Sequence, residues 1–177
     1  MNMLIKKESS ALIIVDVQEK LVSVMPKPHT FINNIVKLLK ASNMLKIPVI
    51  CSEQYPKGLG STINEIKNNI NKNVTFIEKT VFSVPLKEGL SSQYVVCGIE
   101  SHVCVLQTAI NLAENKKNII YVVQDAMSSR YQSDYLTSLS RMNKYKNIHI
   151  VSCEMVLFEW LKKAGTKEFK TISQLIK

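Results

Sequence analysis

The stretch Ala11-Leu-Ile-Ile-Val-Asp-Val17 constrains this chain more than any other, because only Asp16 interrupts its apolar run. A run without polar alternation offers no face to water. It suits a strand covered on both sides, as in a parallel sheet between helix layers. Similar runs return at Ile47–Cys51, Val74–Ile77, Tyr94–Gly98, Asn118–Val123 and Ile148–Val151. Between them, apolar residues fall at helical spacing. Phe31, Ile32, Ile35, Leu38, Leu39 and Leu45 form one stripe behind Pro26 and Pro28, and Thr62–Ile70 forms a weaker one. Further helical stretches begin at Ser101 and lie around Ser133–Asn143, 154–163 and 166–176. Strands alternating with helices predict an α/β fold: a Rossmann-like, three-layer α/β/α arrangement around a mostly parallel six-stranded sheet. The chain of 177 residues shows no linker, repeat or low-complexity tract, so one domain spanning 1–177 is expected.

Functional groups in such folds collect at the carboxyl ends of the strands. Asp16 ends the first strand, Gln54 and Lys79 lie just past the second and third, and Cys104 lies above the fourth. These four are expected to converge on one edge of the sheet. The connection after Tyr94–Gly98 is very short, and Val103, Leu106, Ile110 and Ala113 take up helical spacing from Ser101, a residue suited to capping. Cys104 is therefore expected in a first helical turn, where the partial positive charge of the helix lowers a thiol's pKa. A cysteine there reads as a nucleophile or as a small core hydrophobe. Asp16 reads as a base or as a strand-end carboxylate bonding loop amides. Its apolar surroundings demand a partner, and Lys79 is the obvious one. His102 lies two residues before Cys104, about 200° away around a helix, and reads as structural. His29 and His149 show no partner pattern.

The formal charge of +9 raises nucleic acid as a partner. The lysines, however, are dispersed or paired (Lys6-Lys7, Lys116-Lys117, Lys162-Lys163), and arginine occurs only at 130 and 141. A solvated lysine-rich surface, with no nucleic-acid partner, is the expectation. No apolar run approaches the ~18 residues of a membrane span, so no membrane partner is expected either. Cys51, Cys97, Cys104 and Cys153 form no Cys-x-x-Cys pair, which points to reduced thiols rather than a disulfide framework or zinc site. The expected compartment is the cytoplasm, with mitochondria or another organelle also compatible.

Asp16 within Ile-Ile-Val-Asp-Val-Gln, Lys79 within Glu-Lys-Thr-Val-Phe-Ser, and Cys104 within Cys-Gly-Ile-Glu-Ser-His-Val-Cys-Val resemble the isochorismatase-like cysteine hydrolase superfamily. Glu53-Gln-Tyr-Pro-Lys-Gly-Leu-Gly60, Asp125-Ala-Met-Ser-Ser-Arg130 and Phe169–Lys177 resemble its eukaryotic isochorismatase-domain-containing branch. The resemblance implies a triad: Asp16 as general base and acid, Lys79 as electrostatic support, Cys104 as nucleophile. It also implies a non-proline cis peptide at Ile99-Glu100 and an oxyanion hole formed by the backbone amides of Glu100 and Cys104. Gln54, Tyr55, Phe82 and Ile99 are the implied substrate contacts, and a homo-oligomer, dimer or tetramer, is the implied assembly. Nicotinamidases carry an Asp-x-His metal motif where this chain reads Cys51-Ser-Glu-Gln-Tyr55, so neither metal nor cofactor is expected. True isochorismatases generally lack the cysteine. What remains is a metal-independent hydrolase acting on a small amide-type substrate through a thioester. The alternative is a catalytically weak relative that works as an oligomeric binding or scaffold protein.

Overall fold

The structure, a computed structural model, describes residues 3–71, 74–87 and 89–176. After a 3-10 turn at Lys7–Ser9, β1 (Ser10–Val15) leads through the short α1 (Glu19–Val22) to α2 (Pro28–Leu45). Then follow β2 (Val49–Gln54), α3 (Pro56–Leu59), α4 (Asn64–Lys67), β3 (Val74–Lys79) and β4 (Gln93–Ile99). A π-helical turn at Ser101–Val105 runs into α5 (Leu106–Glu114), and β5 (Ile119–Ser128), α6 (Gln132–Met142), β6 (Ile148–Val151), α7 (Cys153–Leu161) and α8 (Lys167–Ile176) complete the chain.

Among the described residues the six strands form one sheet in the order β3-β2-β1-β4-β5-β6, with every strand pairing parallel. The sheet is thus wholly rather than mostly parallel. Strand order reverses between β1 and β4, and Asp16 and the Cys104 turn follow those two strands.

The pleat explains the unbroken apolar run. Leu12 and Ile14 face one core with Val95, Cys97, Tyr121 and Val123, covered by α2, α7 and α8 through Phe31, Ile35, Leu38, Leu39, Trp160 and Ile172. Ala11, Ile13 and Val15 face the other core with Tyr94, Val96, Ile120 and Val122, beneath Leu106 and Ala109 of α5 and Met142 of α6. Each such buried side chain is worth about 1.5–3 kcal/mol relative to exposure. Burial on both faces is therefore what sets β1 at the centre.

Three boundaries differ from the sequence reading. Ser52–Gly60 was expected to be a loop, yet Ser52, Glu53 and Gln54 extend β2, and Pro56–Leu59 forms a helical turn. Their polarity reflects service to the site, which is buried despite being polar. Similarly, β3 continues through Lys79. The fifth strand was expected to stop before Gln124-Asp125, but β5 bulges there and resumes pairing, with Val96 opposite Val122 and Gly98 opposite Met127. The bulge has local partners: Asp125 Oδ1 accepts from the Cys153 amide at 2.7 Å, and the Asp125 carbonyl accepts from Asn34 Nδ2 at 2.8 Å.

Candidate active site

Asp16 leaves β1 in the left-handed conformation (φ 50°), a geometry aspartate tolerates better than most residues. Its carboxylate is fully buried, with each oxygen held by a different partner. Oδ1 accepts from Ser52 Oγ at 2.6 Å, and Oδ2 accepts from Lys79 Nζ at 2.7 Å. Lys79, also buried, donates onward to Gln54 Oε1 at 2.7 Å and to the Phe82 carbonyl at 3.0 Å. A longer contact, 3.4 Å, runs to the Val81 carbonyl. The Cys104 thiol interacts with both the Asp16 carboxylate and the Lys79 amine. The expected convergence of Asp16, Lys79, Gln54 and Cys104 is thus present.

The first helical turn departs from expectation in two ways. Ser101–Val105 is π-helical, and Glu100 rather than Ser101 stands at the N-cap position, with no side-chain cap. The Ser101 hydroxyl instead pairs with Ser129 Oγ. The thiol also moves opposite to the helix-dipole expectation. Burial first and the Asp16 carboxylate second push Cys104 up to about 12, with Lys79 opposing. Loss of water and a nearby carboxylate outweigh the partial charge of a helix terminus. Cys104 therefore rests as a thiol whose proton has a carboxylate beside it.

The peptide bond between Ile99 and Glu100 is cis. The Glu100 amide makes no hydrogen bond among the described residues, although Glu100 is buried. Thr108, inside α5, donates to the Cys104 carbonyl at 2.7 Å and accepts from the Val84 amide at 3.0 Å, fastening the 81–84 segment to the cysteine's own backbone. Tyr55 and Phe82 are half exposed, Ile99 is buried, and both ends of the Gln54 amide are engaged, Nε2 donating to the Thr80 carbonyl at 2.8 Å. His102 turns away from the thiol, its Nδ1 pairing with Ser129 Oγ at 3.0 Å.

Sequence reasoning missed Ser52, Gln18 and Thr108. Gln18, buried beyond β1, accepts from the Gln54 amide at 2.7 Å and donates to the Gly60 carbonyl at 2.6 Å. A polar residue two places after Asp16 in the same sequence stretch was the available signal. Ser52 carries no local signal, because its partner lies 36 residues away, and the contact that ties Thr108 to Val84 spans 24.

The donors near β2 offer little to a metal. Glu53 Oε1 accepts from the Thr62 amide and hydroxyl, each at 2.7 Å, and no histidine adjoins it. Among the described residues no group of three or more His, Cys, Asp or Glu is disposed to hold a metal ion, and no helix is long and apolar enough to cross a membrane.

A family model described as the isochorismatase domain matches residues 10–154. Isochorismatase family protein 1B of Dictyostelium discoideum is 34% identical over 96% of this chain and 87% of its own length. Isochorismatase domain-containing protein 2 of Danio rerio is 33% identical over 96% of this chain and 87% of its own. A solved structure described as a MAR1 ribonuclease from Caenorhabditis elegans superposes with a TM-score of 0.92 at 32% identity, covering 98% of this chain and 92% of that one. The YcaC gene product of Escherichia coli, described as an octameric hydrolase of unknown specificity, shares the fold at a TM-score of 0.84 and 18% identity, over 99% of this chain and 91% of that one.

Proposed function

This chain belongs to the isochorismatase family, and on that premise we propose that it is a cysteine hydrolase cleaving the C–N bond of a small amide-type substrate without a metal ion. The observation that carries the reading is the closed cluster in which Lys79 binds Asp16 at 2.7 Å and both interact with Cys104. As Sγ adds to the carbonyl carbon, Asp16 takes the thiol proton, so that a thiol held up to about 12 need not ionise beforehand. The amides of Glu100 and Cys104 receive the oxyanion. The C–N bond then breaks, Asp16 returns its proton to the departing amine, and a thioester remains. Water, deprotonated by Asp16, releases the acid and restores the thiol. Lys79 offsets the charge of Asp16 and, through the Phe82 carbonyl, places the rim of the site. Gln54, Tyr55, Phe82 and Ile99 are the proposed substrate contacts, Gln54 doubling as a brace for Lys79.

The proposed working form is a cytoplasmic homo-oligomer, dimer or tetramer. The half-exposed apolar side chains Tyr55, Val81 and Phe82 support association of copies. A second reading, RNA cleavage, has two supports: the description of the C. elegans structure and the net charge of +9. The thiol is the group that separates the two readings, since acyl transfer needs it as nucleophile and in-line phosphodiester cleavage does not.

The deciding experiment incubates the protein with a panel of small amides and, separately, a fluorogenic oligoribonucleotide, following turnover and the mass of the Cys104 peptide. An acyl adduct on Cys104, with turnover abolished in Cys104→Ala and Asp16→Ala variants of unchanged circular dichroism, is the expected result. Equal turnover by Cys104→Ala and the parent sinks the assignment. RNA cleavage that survives Cys104→Ala favours the second reading, and complete inertness favours a binding or scaffold role.

A further inference from the structure

The motif Asp125-Ala-Met-Ser-Ser-Arg130 has no part in the chemistry above, yet its last two residues grip the elbow that follows β4. Three successive elbow residues, Glu100, Ser101 and His102, are each held by one of two successive residues, Ser129 and Arg130. The Glu100 carboxylate accepts from the Arg130 amide at 3.1 Å, and the Arg130 Nε lies 3.1 Å from one carboxylate oxygen and 3.3 Å from the other. Ser129 Oγ pairs with both Ser101 Oγ and His102 Nδ1, and Asp134 Oδ2 stands 3.7 Å from His102 Nε2 on the far side. Pairing of Ile99 with Ser128 across β4 and β5 brings the two segments side by side.

We propose that Arg130 and Ser129 are positioning residues that aim the Glu100 amide at the reacting carbonyl, a role that rests on reading that amide as an oxyanion donor. The Glu100 N–H finds no acceptor among the described residues, so no backbone ladder fixes its direction; the side chain of the same residue does. Oxyanion donors must be held to within roughly 0.5 Å and 10–20° of the productive geometry. The Arg130 Nε and the Arg130 backbone amide converging on one carboxylate supply that restraint. Arg130 is half exposed (52%) whereas Glu100, Ser101 and Ser129 are buried, so these contacts carry stability as well as direction. The two roles are separated by comparing reactions rather than by melting temperature. Asp125, the motif's first residue, has a separate task at the Cys153 amide.

Two reagents separate positioning from general damage. Iodoacetamide alkylates Cys104 by displacement at a saturated carbon, which generates no oxyanion. p-Nitrophenyl acetate acylates it: the S–C bond forms through a tetrahedral oxyanion, the C–O bond breaks, p-nitrophenolate leaves and the thiol proton passes to Asp16. In Arg130→Ala and Ser129→Ala, acetylation of the Cys104 peptide is expected to slow about 10- to 100-fold while its alkylation rate holds, and any fall in melting temperature reports the buried groups left unpaired. Arg130→Lys, which keeps the charge and the backbone amide but lacks the planar Nε–H, is expected to recover only part of the rate. Equal slowing of both reactions, or of neither, overturns the positioning role. A parent protein that alkylates but never acetylates at Cys104 overturns the oxyanion reading itself, and the positioning role with it.

Discussion

At the residue scale, Asp16 is held by two unlike donors, Ser52 Oγ on one oxygen and Lys79 Nζ on the other, and this fixes the carboxylate while leaving capacity toward the thiol. Ser52→Ala removes one donor and leaves a buried carboxylate oxygen unpaired. The expected cost is about 1–3 kcal/mol of stability, read as a lower urea midpoint at unchanged slope. The thiol supplies a pH prediction. Its pKa rises from 9.0 to about 12, chiefly through burial, so the thiolate fraction is small at neutrality and grows tenfold per pH unit. Alkylation of Cys104 should therefore still be climbing at about pH 10, beyond the point where a free cysteine levels off. A plateau near the ordinary value of 9.0 contradicts this electrostatic picture.

At the scale of elements, β4 packs against the β1 backbone at Gly98, opposite Val15. This residue has φ +117°, and a Cβ added there meets the Val15 carbonyl oxygen and lies 2.6 Å from the Val15 amide nitrogen. Both neighbours are central-sheet backbone and cannot yield as a flexible side chain does. Gly98→Ala is expected to cost at least about 3 kcal/mol, measured by urea unfolding, and to abolish Cys104 reactivity by shifting the elbow. A near-neutral result contradicts the close approach. The glycine is visible in the sequence as the end of an apolar run. Its backbone contact is not, because Val15 lies 83 positions earlier and only pairing brings it near. Much the same holds for Ser52–Gln54: polar composition reads as loop, whereas those side chains are polar because they serve a buried carboxylate and amine.

For the whole molecule, the two cores on either face of the sheet bear the stability, and titration of a half-buried base modulates it. His149 on β6 packs against the Tyr121 ring, its Nε2 buried without a partner among the described residues, and burial lowers its pKa below 6.5. The unfolded chain then binds the proton more readily than the folded one, so stability is present above about pH 6.5 and is lost as pH falls toward the lowered folded value. Urea midpoints should decline over that window, and His149→Gln should flatten the decline. An unaltered slope in the variant places the acid sensitivity elsewhere.

The sequence by itself determined the α/β class, the parallel sheet and the strand termini carrying Asp16, Lys79 and Cys104. Apolar periodicity and unbroken β-branched runs are local properties that need no knowledge of neighbours. Only the tertiary structure decided the direction of the Cys104 pKa shift, the service of Ser52 and Thr108, the bulge in β5 and the grip of Ser129 and Arg130 on the elbow. Each of these depends on which groups meet across the sheet, and on how much water their meeting excludes.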